Sequence, residues 1–198
     1  MSRRRSAILA PMTVTPETVD RPDREFDASP GPSGSAGDLG RLEVIVRRPD
    51  VDVRDVLAEA RLDADVGLVG DTWRARGSPR MSDGGPDPDA QVTLMSVRVL
   101  AAIEPDRDRW PLAGDQLLVD LDLAVESLPP GTRLGIGAAV LEVSPAPHTG
   151  CAKFSSRFGS DALRWINSPD GRLARRRGMN TRVVLGGVIR AGDAIRRL

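Results

Sequence analysis

The sequence has no tyrosine, and aromatic residues make up only 3% of its 198 positions. Its core must therefore be built from Val, Leu, Ile and Ala, and an apolar content of 40% is enough to build one. There is one cysteine, so no internal disulfide can form, which argues against a secreted disulfide scaffold. One cysteine and one histidine leave too few strong ligands for a zinc site. No run approaches the roughly 18 apolar residues of a transmembrane helix. The apolar stretch after Arg3-Arg4-Arg5 is too short for the centre of a secretion signal. Net charge is also lacking: 28 basic residues face 28 acidic ones, so the chain as a whole has no bias toward nucleic acid or membrane. These absences predict a cytoplasmic protein with no membrane segment.

What is present divides the chain in two. Residues 1–38 hold five prolines and a Gly/Ser-rich stretch with no apolar period, so they are expected to form a disordered tail. A single folded domain is expected over residues 40–198. Leu42–Val46 alternates and is β-branched, which predicts a strand. Gln91–Leu94, Gln116–Leu121, Thr132–Ile136, Ala138–Ser144, Thr181–Val184 and Val188–Arg190 read the same way. Residues 52–64 fit either a short helix or an extended segment. Ser96–Glu104 predicts a helix with Val97, Leu100 and Ala101 inward, and Pro105–Pro111 a loop. A helix is expected from Cys151 to Phe158, and another from Asp161 to Ile166 with Ser160 as N-cap. Many short strands separated by turns predict a mainly β fold, a closed or nearly closed β-barrel with a few short helices.

The segment richest in chemistry is Pro147-His-Thr-Gly-Cys-Ala-Lys-Phe-Ser-Ser-Arg-Phe-Gly159. It places Cys151 between a strong strand and a helix start, where free amide groups and the helix dipole favour negative charge. Lys153 and Arg157 add cations, and such surroundings favour the thiolate, the nucleophilic and metal-ligating form. His148, three residues upstream, is a candidate to orient the sulfur or shuttle its proton. A lone cysteine also reads as a small buried hydrophobe, and His148 as a surface or capping residue. From Gly150 onward eleven Lys or Arg face three acids, so the last quarter is cationic. Arg175, Arg177 and Asn180 lie within it and suit an anionic ligand.

The run His148-Thr-Gly-Cys-Ala-Lys-Phe154 followed by Arg157-Phe-Gly159 resembles the core of MOSC domains, named for the molybdenum cofactor sulfurase C-terminus. Gly67-Leu-Val-Gly-Asp71, Gln91–Leu94, Leu117–Leu123, Pro130–Leu134, Ala139–Val143, Arg177–Val183 and Arg190–Asp193 resemble the family's other segments in order, over roughly residues 40–198. Pro111-Leu-Ala-Gly-Asp-Gln116 stands where many relatives carry an Arg-Arg-Asn run. The resemblance implies a β-barrel that binds a molybdopterin-type molybdenum cofactor. Cys151 would ligate the metal or carry sulfur, with His148 beside it in a catalytic role. Lys153, Arg157, Arg175, Arg177, Asn180, Gly70 and Asp71 would be the cofactor-binding residues. It further implies reduction of N-hydroxylated compounds as an activity, a small-molecule substrate, and a cysteine desulfurase or electron-donor protein as partner. Pyridoxal phosphate belongs to such a desulfurase and is not expected in this chain.

The competing expectation is a non-enzymatic β-barrel module that binds a polyanion or nucleic acid through the basic last quarter. Against nucleic acid, that segment lacks the interleaved aromatics of a single-strand binder. A Cys–His protease is disfavoured as well, since His148 and Cys151 share one turn and no third orienting group can be named.

Overall fold

The computed structural model describes residues 39–198, and the tail expected over residues 1–38 lies outside the described residues. The strands are β1 (Gly40–Arg47), β2 (Asp55–Leu57), β3 (Glu59–Asp63), β4 (Gly67–Leu68), β5 (Val92–Ser96), β6 (Leu117–Asp120), β7 (Arg133–Ile136), β8 (Ala139–Val143), β9 (Met179–Leu185), β10 (Gly187–Arg190) and β11 (Ala194–Arg197). The helices are α1 (Trp73–Arg76), α2 (Val97–Ile103), α3 (Ala152–Phe158), α4 (Ser160–Asn167) and α5 (Pro169–Leu173). Strands run in the order β11-β7-β8-β9-β5-β6-β1, and β1 pairs back onto β11, which closes a seven-strand barrel. Closure leaves no long unpaired edge within the ring. Neighbours are antiparallel except β5 and β6, which run parallel. A parallel pair needs a crossover, and α2 with the 3-10 turn Arg107–Ala113 supplies it. β2 pairs with β1 outside the ring, and β10, β3 and β4 form a small second sheet.

Side-chain alternation sorts the apolar residues into two cores. In β6, Leu117 and Val119 point into the barrel while Leu118 points outward. In β5, Leu94 points in and Met95 out. A bulge between Leu42 and Val44 lets Leu42 and Ile45, three residues apart, share the interior. The outward Val46, Met95 and Leu118 form the floor of the second core, covered by α2, Trp110, α3 and α4. This helical cover positions the functional site.

Several local expectations shift. Residues 52–64 are extended, because Val56 and Leu57 find cross-strand partners in Val46 and Ile45. α2 buries Val99, Leu100 and Ile103 and leaves Ala101 exposed. The helix starts directly from the end of β5, so the strand's exit direction sets its phase. Residues 107–113 form a 3-10 turn rather than a loop, entered through the Asp106 carboxylate, which accepts from the Asp108 amide at 3.0 Å. Ser160 is the first residue of α4 and makes no capping bond; Gly159, with φ 91°, holds the cap position. α5 was not anticipated, although Ser168 caps it and Pro169 opens it, both readable signals.

Candidate functional site

The loop from β8 to α3 is pinned at both ends. The Asn180 amide donates to the carbonyls of Ala146 (3.1 Å) and Pro147 (3.2 Å). Further along, the Asn167 side chain brackets Gly150. Its Oδ1 accepts from the Gly150 amide at 3.0 Å, and its Nδ2 donates to the Gly150 carbonyl at 3.2 Å. A side chain at 150 would strike Ile166 and Leu163 of α4, so glycine permits the close approach. Cys151 then takes the N-cap position of α3 in extended backbone, and its carbonyl accepts the first helical bond from Ser155 at 3.0 Å. The thiol makes no capping bond, and the residue is exposed. Phe154 and Phe158, with ring centroids 4.8 Å apart, bury the opposite side of α3 in the second core.

Cys151 lines a cleft of about 310 Å³. Its cationic lining residues are Arg48, Arg54, Arg76, Arg80, Lys153, Arg157 and Arg177, against one carboxylate, Asp87. His148, Asn180 and Trp73 also line it. A second cleft of about 260 Å³ shares Arg48, Arg54, Arg76 and Lys153 with the first.

Some of these cations are held by carboxylates. Arg48 grips Asp71 with Nε and Nη2, both at 2.8 Å, and donates from Nη1 to the Gly114 carbonyl at 2.7 Å. Arg157 reaches Asp52 at 2.6 Å and the Leu112 carbonyl at 2.8 Å. Arg177 donates to Asp115 at 2.6 Å and to the Ala113 carbonyl at 3.0 Å, and lies over the Phe154 ring. Others are not. Among the described residues Arg54, Arg76 and Lys153 form no ion pair, and the buried Nε of Arg54 and of Arg177 have no hydrogen-bond partner. Burial, then the charges of Arg157 and Arg48, lower the Arg54 guanidinium to about 10. Burial, then Arg48, lowers Arg76 as well. Burial first, and then crowding, make these positive charges costlier to hold than in water, and an anion in the cleft would relieve that cost.

Beneath the cleft lies Asp115, fully buried, with Oδ1 2.8 Å from Nε2 of His148 and Oδ2 on Arg177. Burial alone would raise its carboxyl, but the Arg177 charge, His148 and their hydrogen bonds hold it well below the usual carboxylate range. Burial and the Arg177 charge lower His148, and Asp115 opposes them.

The structure therefore gathers His148, Cys151, Lys153, Arg157, Arg177 and Asn180 around one cleft. His148 bonds Asp115 and makes no hydrogen bond to the sulfur. Asn180 spends its amide on the loop. Arg175, Gly70 and Asp71 are not among the lining residues. Arg175 donates to the carbonyls of Leu123 and Leu128, at 3.3 and 2.6 Å, and so ties two turns together. Gly70 occupies a turn at φ 83° beside Arg47, and Asp71 acts behind the cleft by fixing Arg48. Sequence reading missed Arg48, Arg54, Arg76, Arg80 and Asp115. Arginines scattered over loops and the short helix α1 carry no local pattern, and Asp115 lies in the stretch that departs from the Arg-Arg-Asn run. The basic last quarter does not act as one patch: Arg182 pairs with Glu142, Arg190 with Glu59 and Arg164 with Asp161, while Arg175 and Arg177 turn inward. Among the described residues no helix is long and apolar enough to cross a membrane.

No family model matches the sequence, and no curated protein matches it either. Solved structures do. The YuaD protein from Bacillus subtilis aligns with a TM-score of 0.54 at 18% identity, over 79% of this chain and 93% of that one. YiiM from Escherichia coli aligns at 0.52 and 21% identity, over 80% and 69%. YiiM from Geobacillus stearothermophilus aligns at 0.51 and 16% identity, over 81% and 73%. YuaD and YiiM are MOSC-domain proteins, and at these identities the likeness shows one thing, that this chain shares their fold.

Proposed function

We propose that the cleft binds an anionic molybdenum cofactor of the molybdopterin type, with Cys151 as the protein's sulfur ligand to the metal or as a carrier of sulfane sulfur. The observation that carries this reading is an exposed thiol opening onto a cleft lined by seven cationic side chains and one carboxylate. The donor set fits such a group. Among the described residues no cluster of three or more His, Cys, Asp or Glu could hold a metal by itself, so a metal at Cys151 must bring its other ligands with it. A dithiolene-bearing cofactor does so, and its phosphate needs the cations that lack carboxylate partners. When bound, it supplies a redox-active metal.

The chain's own residues have separate tasks. Arg54, Arg76 and Lys153 neutralise the bound anion. Arg48, Arg157 and Arg177 stay fixed by their carboxylates and shape the wall. Cys151 presents a soft sulfur donor, which suits molybdenum or sulfane sulfur better than it suits a hard cation. The small-molecule substrate class we favour is N-hydroxylated compounds. Sulfur or electrons come from a partner, a cysteine desulfurase or an electron-donor protein, and pyridoxal phosphate has no place in this chain. A working thiol must stay reduced, which agrees with a cytoplasmic setting.

The test uses protein purified from a host that makes the cofactor, with molybdenum and phosphorus measured by elemental mass spectrometry. Wild type is expected to carry near-stoichiometric molybdenum, and Cys151→Ser to lose most of it. The double change Arg54→Ala with Arg76→Ala should retain about ten-fold less or lower still, from lost charge-assisted bonds. Equal molybdenum and equal sulfane sulfur in wild type and Cys151→Ser would overturn the assignment.

A further inference from the structure

We infer that Asp115 is a positioning residue that holds His148 in its Nε2–H tautomer and leaves the Nδ1 lone pair open to the cleft, as an acceptor for a ligand presenting an N–H or O–H. The inference rests on the reading of the cleft as a ligand site. Asp115 is completely buried and spends one oxygen on each neighbour, Oδ1 facing Nε2 of His148 at 2.8 Å and Oδ2 accepting from Arg177 at 2.6 Å. Paired with a guanidinium, the carboxylate stays ionised and can only accept. The hydrogen on the His148 contact therefore belongs to Nε2. A neutral imidazole carries one N–H, so Nδ1 is bare. No partner bonds Nδ1 among the described residues, and His148 lines the cleft with its side chain 16% exposed.

The contact is not needed to fix the loop, since Asn180 and Asn167 already bracket it. The charged groups acting on His148 are Arg177, Asp115 and Arg80. Burial and the two arginines disfavour the imidazolium, and Asp115 favours it, with the balance on the neutral side. A ligand X–H in the cleft can then break its X–H bond, keep the electron pair on X and pass the proton to Nδ1. The resulting imidazolium lies against the Asp115 carboxylate. At neutral pH the ring is uncharged and its bare Nδ1 accepts a hydrogen bond, which selects ligands with an N–H or O–H over anions that lack one.

This histidine is the only one in the chain, so an imidazole nitrogen spectrum of 15N-histidine-labelled protein contains a single spin system. The experiment uses the full chain free of molybdenum. The expected wild-type spectrum at pH 7 has a protonated Nε2 and an unprotonated Nδ1. In Asp115→Asn the oxygen is claimed by Arg177, so the amide NH2 faces His148, donates to Nε2 and flips the tautomer to Nδ1–H. A merely structural ion pair would produce no flip. Nδ1 protonated in wild type, a charged imidazole at pH 7, or an unchanged tautomer in Asp115→Asn would each overturn the inference. If that variant does not fold, the wild-type spectrum decides alone. Because no metal is involved, failure here leaves cofactor binding standing, and loss of cofactor binding leaves the tautomer standing.

Discussion

Asp71 shows how much of the cleft depends on residues that never face it. Its carboxylate is fully buried and accepts two bonds from the Arg48 guanidinium and one each from the Arg48 and Trp73 amides. Removing one partner of such a pair leaves an uncompensated buried charge, which costs about 3–5 kcal/mol. Asp71→Ala is therefore predicted to lower the unfolding free energy measured by urea titration by an amount in that range; a change under about 1 kcal/mol would contradict the role given to the pair. Gly178 is a second such position. It sits at φ 97°, and a Cβ there would lie 2.1 Å from the Leu94 carbonyl oxygen on β5. Gly178→Ala is predicted to unfold at lower temperature than wild type, with Arg177 displaced from Asp115. Residues close together in sequence were legible: His148, Cys151, Lys153 and Arg157 share one run, and Arg177 and Asn180 another. Arg48, Arg54 and Arg76 were not, because only the folding of β1, its following loop and α1 brings them to the thiol.

At the scale of elements, α3 is seven residues long and too short to be stable alone, so packing must hold it. Phe154 and Phe158 supply that packing, and Arg177 lies over the Phe154 ring. Phe154→Ala is predicted to cost about 3–5 kcal/mol. It should also raise hydrogen exchange at the amides of Ser155 and Arg157, since the helix frays where Cys151 begins it. Exchange unchanged at those amides would mean that the pinned loop alone holds α3. Most strands were readable from alternation, as in β8, where Ala139, Leu141 and Val143 face inward. The helix α2 was readable but its phase was not, since Val97 and Ala101 yield to Val99 and Ile103 once β5 sets the starting direction. The 3-10 turn at 107–113 was hidden because Pro111 inside a charged stretch reads as a breaker.

At the scale of the whole molecule, seven strands closed into a barrel leave the helical cover as the place where polar residues from distant segments can meet. A mainly β, closed or nearly closed barrel was legible from many short strands, whereas the strand that closes it, β11 against β1, was not, because Ala194–Arg197 carries too little apolar pattern. The same burial makes stability depend on pH. Asp115 and His148 both titrate lower in the folded state than in the unfolded chain. The unfolded state then binds more protons on acidification, so stability is full above the unfolded values and is lost as pH falls. The loss begins near the free histidine value of about 6.5 and steepens near the free aspartate value of about 4. Tm should fall from pH 7 toward pH 4, and His148→Gln should flatten the portion between about 6.5 and 5. An unchanged slope in that variant would remove His148 from the account. The central claim, that an anionic molybdenum group sits in the cationic cleft against Cys151, is tested most directly by anomalous diffraction at the molybdenum edge. The crystals would be of protein made in a cofactor-competent host. The account predicts a peak within metal–sulfur bonding distance of Cys151 Sγ, with density for the anion running toward Arg54 and Arg76. A molybdenum peak bound elsewhere, or a cleft without one in crystals of molybdenum-loaded protein, would contradict it.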